Sequence, residues 1–186
     1  MRRTKIAIAI AILAMVTTTA YAQSIETVLV QSNGYCTGNR FFRYVITAEH
    51  CIQEENNEPV WIYNEFRNYK PANVYWMGSS RDSTLDLAVL TLDADYGWPK
   101  EKLCYNPRAQ HGTVKVMTSD LRQITHKYVR KGDVYLPEHG HSTVWIGMIE
   151  PGYSGSFIYD DNNCVAGMVV AMLSEAGKSA EWGIGM

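Results

Sequence analysis

The sequence has little that would mark a membrane, nucleic-acid or metal protein. Its one long apolar run, Ile6 to Val16, is 11 residues, short of the roughly 20 that span a bilayer, and no second run of membrane length follows. There is no basic stripe to meet nucleic acid: 17 Lys and Arg stand against 19 Asp and Glu. The four cysteines, Cys36, Cys51, Cys104 and Cys164, are widely and irregularly spaced, without the paired C-x-x-C of a zinc site. Helical 3.6-residue periodicity is hard to find beyond the first residues, which argues against a helical bundle. No internal repeat points to a solenoid, and no low-complexity tract points to disorder.

What is present begins with a targeting segment. Arg2, Arg3 and Lys5 form a basic head, the apolar run follows, and Ala20-Tyr21-Ala22 is a small-x-small cleavage site. These are the three parts of a secretory signal peptide, so residues 1–22 are expected to be removed and the mature chain to start near Gln23. The basic head accounts for three of the 17 cations; the 14 left face 19 acids, a net charge of about −5. A mature chain of 164 residues is enough for one compact domain. All four cysteines lie in the exported part, where an even count favours disulfides over metal. Three pairings are open to four cysteines. The expected location is the periplasm or the outside of the cell.

The mature region reads as strands separated by turns. Runs rich in Val, Ile, Tyr, Phe and Trp recur at 26–31, 41–47, 60–63, 72–77, 87–92, 113–118, 142–148, 156–159 and 165–173. Asn-Gly, Gly-Asn, Pro and Asp-Asp-Asn-Asn segments separate them. Many short strands with close turn signals predict an all-β barrel or sandwich with little helix. Asp, Gly, Pro and Lys interrupt the pattern around 93–108, dividing the chain into an N-terminal half at about 23–95 and a C-terminal half at about 105–186. Each half is small for an independent core, so two packed sub-barrels are expected.

Three positions carry chemistry. In Gly152-Tyr153-Ser154-Gly155-Ser156, preceded by Pro151, a serine sits between glycines. Glycine permits the backbone conformations that aim successive N–H groups at one point, and such groups stabilise a tetrahedral oxyanion. In Thr47-Ala48-Glu49-His50-Cys51, a histidine follows the apolar run that ends at Thr47. There a strand can anchor an imidazole that projects into a cleft. Pairing of Cys36 with Cys51 would close a 15-residue loop around this segment and stabilise it by roughly 3 kcal/mol. In Asp86-Leu87-Ala88-Val89-Leu90 an acid opens an apolar strand, where a carboxylate can orient imidazole. Asp82 and Asp93 are competitors, but neither leads directly into a comparable strand.

The order His, Asp, Ser and the words around each resemble the trypsin/chymotrypsin family of serine proteases. Thr47-Ala48-x-His50-Cys51 is similar to the family's histidine motif, Asp86-Leu87-Ala88-Val89-Leu90 to its aspartate motif, and Gly152-x-Ser154-Gly155 to its serine motif. Motif order covers most of the mature chain, with about 20 residues individually specific. The serine region resembles bacterial and viral members: Ile149 to Gly155 is similar to the Ile-x-Pro-Gly-Asn-Ser-Gly run of periplasmic quality-control proteases, and Ser154-Gly155-Ser156 to the Ser-Gly-Ser of secreted glutamyl endopeptidases. The resemblance implies a chymotrypsin-like double β-barrel. It implies Ser154 as nucleophile, His50 as general base, Asp86 as its partner, and an oxyanion hole from the N–H groups of Gly152 and Ser154. It implies disulfides Cys36–Cys51 and Cys104–Cys164. No metal or organic cofactor is implied. The expected partner is a protein or peptide substrate, acted on by a monomer that engages no nucleic acid and, once the signal is removed, no membrane.

The chain departs from the family at Tyr153, where animal members carry an aspartate that receives a new N-terminal ammonium; activation by that salt bridge is not expected. The resemblance implies that the strand after the serine hairpin and the residues before the serine line the primary pocket. Here these are Val169, Val170, Ala171 and Met172, with Met148 and Ile149. None is an acid, which predicts a preference for small or medium apolar side chains. His139-Gly140-His141 reads as a solvated turn, and His111 and His126 have no convincing partners. An α/β-hydrolase elbow is excluded: it needs glycine where Ser156 stands and a histidine after the serine, and every histidine here precedes Ser154. The rival from another class is an inactive binding module on the same fold, for which Tyr153 leaves room.

Overall fold

The computed structural model describes residues 25–32, 34–52, 59–78, 86–93, 104–136, 140–147, 150–173 and 182–185. The expected signal segment and the pocket candidates Met148 and Ile149 lie outside the described residues, as does His139.

Among the described residues twelve strands follow one another: β1 Glu26–Gln31, β2 Tyr35–Phe41, β3 Tyr44–Thr47, β4 Val60–Tyr63, β5 Tyr69–Met77, β6 Ala88–Leu92, β7 His111–Met117, β8 Gln123–Leu136, β9 Gly140–Ile146, β10 Phe157–Tyr159, β11 Val165–Leu173 and β12 Trp182–Gly185. Helix among the described residues is a single 3-10 turn, Glu49–Cys51. No described helix is long and apolar enough to cross a membrane. The strands close into two six-stranded barrels, in the orders β1-β2-β3-β6-β5-β4 and β10-β11-β12-β9-β8-β7. This is the chymotrypsin-like double barrel that the resemblance implies.

Period-2 alternation builds each core. Val28, Val30, Val45, Leu90 and Leu92 fill the first barrel. Val114, Val116, Trp145, Ile158 and Val169 fill the second. A third cluster joins them: Phe157, Tyr159, Val165 and Met168 of the second barrel meet Ile25, Ile46 and Leu87 of the first. The outward faces of the two barrels thereby share an apolar layer of their own, distinct from either barrel core. Gly38 of β2 fits the first barrel because a Cβ there would press into the methyl groups of Val30 and Val45.

Both implied disulfides are formed, Cys36–Cys51 and Cys104–Cys164, and no described cysteine is free. The first ties β2 to the 3-10 turn. The second ties the segment entering the second barrel to the start of β11, beside a parallel bridge between Tyr105 and Val165.

Candidate active site

Strand register brings the histidine and the aspartate together. β3 and β6 run antiparallel with Thr47 opposite Ala88, so two residues further along, the chain leaving β3 lies beside the chain entering β6. There the 3-10 turn presents His50 to Asp86. The ring Nδ1 lies 2.6 Å from Asp86 Oδ2, and the His50 amide donates to Asp86 Oδ1 at 3.0 Å. A carboxylate accepts only, so Nδ1 carries the proton of this bond. In the neutral ring that leaves Nε2 as the basic nitrogen. Half-burial acts to raise the Asp86 pKa, but the hydrogen bonds and charge of His50 prevail and hold it below its ordinary 3.8. The His50 side chain stays 47% exposed, open to a substrate.

The serine segment consists of two successive turns. Tyr153 N donates to Glu150 O at 3.1 Å and Ser156 N to Tyr153 O at 2.9 Å. Gly152 and Gly155 hold the positive φ values, +94° and +84°, that a side chain would resist. Ser154 sits between them. Its carbonyl accepts from Thr37 N at 3.0 Å, while Gly155 N donates to Val169 O at 2.7 Å. A Cβ on Gly155 would collide with Thr37 O and Thr47 Oγ1 and lie 3.1 Å from Ala48 N. The loop therefore rests against the β3 end that leads into His50. Among the described residues, neither the Gly152 nor the Ser154 amide donates to a backbone carbonyl.

Tyr153 turns away from this surface. It is 3% exposed and packs in the core of the second barrel. Burial, with the charge of Glu150 adding to it, pushes its phenol up to about 12. An apolar ring rooted in a core occupies the position where the family's animal members place an acid.

Of the pocket candidates, Val169 points its side chain into the barrel core at 1% exposure. Its backbone faces the serine loop and exchanges hydrogen bonds with Gly155 and Ser156. Val170, Ala171 and Met172 continue β11. A separate cleft of about 360 Å³ opens beside Gly152, walled by Tyr35, Met117, Ile124, Glu150 and Tyr153. The Cys36, His50 and Cys51 donor atoms lie within 4.8 Å of one another, but the two sulfurs are bonded to each other and leave no thiolate pair for a metal.

Sequence reasoning missed two polar residues that hold the loop, Thr37 and Asn39, and the brace that Thr47 gives to Thr37. Thr37, Asn39 and Thr47 are each 0% exposed. Thr37 Oγ1 donates to Gly152 O at 3.0 Å, Asn39 Nδ2 to Gly155 O at 2.6 Å, and Thr47 Oγ1 to Thr37 O at 2.9 Å. The available signal was the alternation of polar residues around Gly38, but it counts only once 35–41 is read as a strand.

No curated protein sequence matches the chain. Among solved structures, it is similar to a serine-to-alanine mutant of Rv3671c from M. tuberculosis H37Rv in an inactive form, at TM-score 0.64 and 17% identity over 86% of this chain and 80% of that one. A human pathogenic astrovirus serine protease aligns at TM-score 0.61 and 19% identity, covering 87% of this chain and 89% of that one. A serine endoprotease from Yersinia pestis aligns at TM-score 0.57 and 15% identity, covering 87% and 58%. These likenesses concern the fold. Residues 27–168 match the family model of the trypsin-like peptidase domain, and with most of its length inside that match the chain belongs to the trypsin-like serine protease family.

Proposed function

We propose that the chain is an exported serine endopeptidase that cleaves peptide bonds through an acyl-enzyme on Ser154. The observation that carries this reading is the 2.6 Å bond from His50 Nδ1 to Asp86, on the turn that follows the β3 end against which Gly155 is packed. In the first step, Ser154 Oγ attacks the scissile carbonyl carbon and its proton passes to His50 Nε2. The C–N bond then breaks as His50 returns that proton to the leaving amine. Water repeats the sequence on the ester and frees Ser154. Asp86 fixes the ring tautomer and balances the imidazolium. The amides of Gly152 and Ser154, unclaimed by any described carbonyl, receive the oxyanion; one such donor contributes about 10²–10³ in rate.

The acyl half of the substrate runs along β11, where Val170 to Met172 bring no charged residue, and a small or medium apolar residue is the expected preference there. The cleft beside Gly152 offers room for the leaving half. Export is supported by the basic head, apolar run and Ala20-Tyr21-Ala22 site, and by two disulfides suited to an oxidising compartment. The enzyme acts as a monomer.

Labelling with a fluorophosphonate probe tests the reading. Wild type is expected to label and Ser154→Ala to remain unlabelled. Label on both proteins, or on neither, would reject Ser154 as an activated nucleophile. The second of these results would leave the binding-module reading standing.

A further inference from the structure

We propose that Thr37 and Asn39 of β2 are positioning residues that set the direction of the Ser154 amide from the opposite barrel; this rests on the acyl-transfer reading above. The two side chains share a face of β2, because Gly38 between them faces Val30 and Val45 in the first-barrel core. Their own face would meet solvent on an isolated barrel. Here the second barrel covers it, and buried polar groups must find partners.

Those partners bracket the nucleophile. Thr37 N donates to Ser154 O at 3.0 Å and Thr37 Oγ1 to Gly152 O at 3.0 Å, while Thr37 Oγ1 accepts from Met117 N at 3.2 Å. Asn39 Nδ2 donates to Gly155 O at 2.6 Å, and Asn39 Oδ1 accepts from Phe157 N at 3.3 Å.

These bonds hold the loop one peptide unit at a time. In the 152–153 unit, Thr37 holds the oxygen and Glu150 O the nitrogen. In the 154–155 unit, Thr37 holds the oxygen and Val169 O the nitrogen. In the 155–156 unit, Asn39 holds the oxygen and Tyr153 O the nitrogen. The 153–154 unit alone is held at one end, its oxygen accepting from Ser156 N. A trans peptide is planar and points its N–H opposite its C=O. Pinning the neighbouring units therefore fixes where the Ser154 N–H points, with no described backbone carbonyl to receive it. A donor held rigidly and left unpaired is what a developing oxyanion requires.

The test uses the full exported protein and compares two ligands of one peptide sequence. A peptide aldehyde adds to the serine and places an oxyanion at the amides; the matching peptide alcohol has no carbonyl oxygen. Thr37→Val keeps the shape and removes the hydroxyl. It is expected to lower kcat and aldehyde affinity together by about 10-fold or more, to move KM and alcohol affinity by less than about 2-fold, and Thr37→Ser is expected to restore both. Aldehyde and alcohol affinities falling in parallel, or an unchanged ratio between them, would overturn the proposal. If Thr37→Val does not fold, Asn39→Ser reads the same ratio from the other end of the clamp, with the same fall in aldehyde preference expected. Wild type that neither labels with fluorophosphonate nor prefers aldehyde to alcohol would remove the acyl-transfer reading, and this inference with it. A labelled wild type with an unmoved ratio in the variants removes this inference alone.

Discussion

His50 meets Asp86 through both its ring and its own backbone, Nδ1 on one carboxylate oxygen at 2.6 Å and the amide on the other at 3.0 Å. One side chain thus fixes both the orientation of the imidazole and the turn that carries it. Asp86→Asn is expected to lower kcat by about 10⁴-fold, because an amide in this place permits the wrong ring tautomer. Steady-state kinetics on a peptide ester, with KM followed separately, would measure it.

The same contact makes a prediction for acid. The Asp86 pKa is held below 3.8 in the folded protein. The stability this contributes is full above the unfolded value and is lost as pH falls through the lower folded value. Wild type is expected to be more stable than Asp86→Asn at pH 6 and to lose that margin below about pH 4. Chemical denaturation of both proteins across this range would measure the margin; a margin independent of pH would contradict the ionised pair.

Tyr153 supplies a contrast of another kind. Its ring is 3% exposed in the second core, so Tyr153→Asp places a charge among Val116, Trp145 and Ile158. An unpaired buried carboxylate costs several kcal/mol. The variant is expected to fold poorly and to lose fluorophosphonate labelling, whereas Tyr153→Phe, which brings no charge, is expected to lose less of each. Thermal melts paired with labelling rates separate the two results.

Gly155→Ala is expected to destabilise by at least about 2 kcal/mol, combining left-handed backbone strain with collisions against Thr37 and Thr47. The effect on labelling should exceed the effect on stability, since the displaced residue adjoins Ser154.

The fold, and the segments that make up much of the candidate site, were legible from local signals. Nine apolar runs correspond to strands, although the run at 41–47 divides at the Phe42–Arg43 turn into the end of β2 and the whole of β3. Three strands were not legible. β2 reads Tyr-Cys-Thr-Gly-Asn-Arg-Phe, with polar residues facing the other barrel and glycine facing its own core, so it carries no hydrophobic pattern. β8 is rich in charged and polar residues, pairing along its length with β7 and β9. β12 has four residues, two of them glycine. The His50, Asp86 and Ser154 segments could be read because each sits beside an apolar strand or a glycine turn. Thr37 and Asn39 could not, because their role depends on a surface more than 100 residues away in the chain.

The two disulfides differ in expected effect. Cys104–Cys164, with a separation of 60 residues, should contribute about 4 kcal/mol, and Cys36–Cys51, with 15, about 3 kcal/mol. Paired alanine substitutions are expected to lower the melting temperature more for the first and turnover more for the second, which adjoins His50. Melts and kinetics on the two double variants would establish the order.

The seam between the barrels has a mechanical consequence. The imidazole is carried on one side of it and the hydroxyl on the other, and they are joined by a handful of polar fastenings and one apolar cluster. On the proposed mechanism, sliding of the halves by the width of an atom would silence turnover while each wall kept its ladder intact. In a urea titration, esterase signal should therefore vanish at a lower concentration than the far-ultraviolet β signature, and hydrolysis itself becomes a gauge of how tightly the halves are closed.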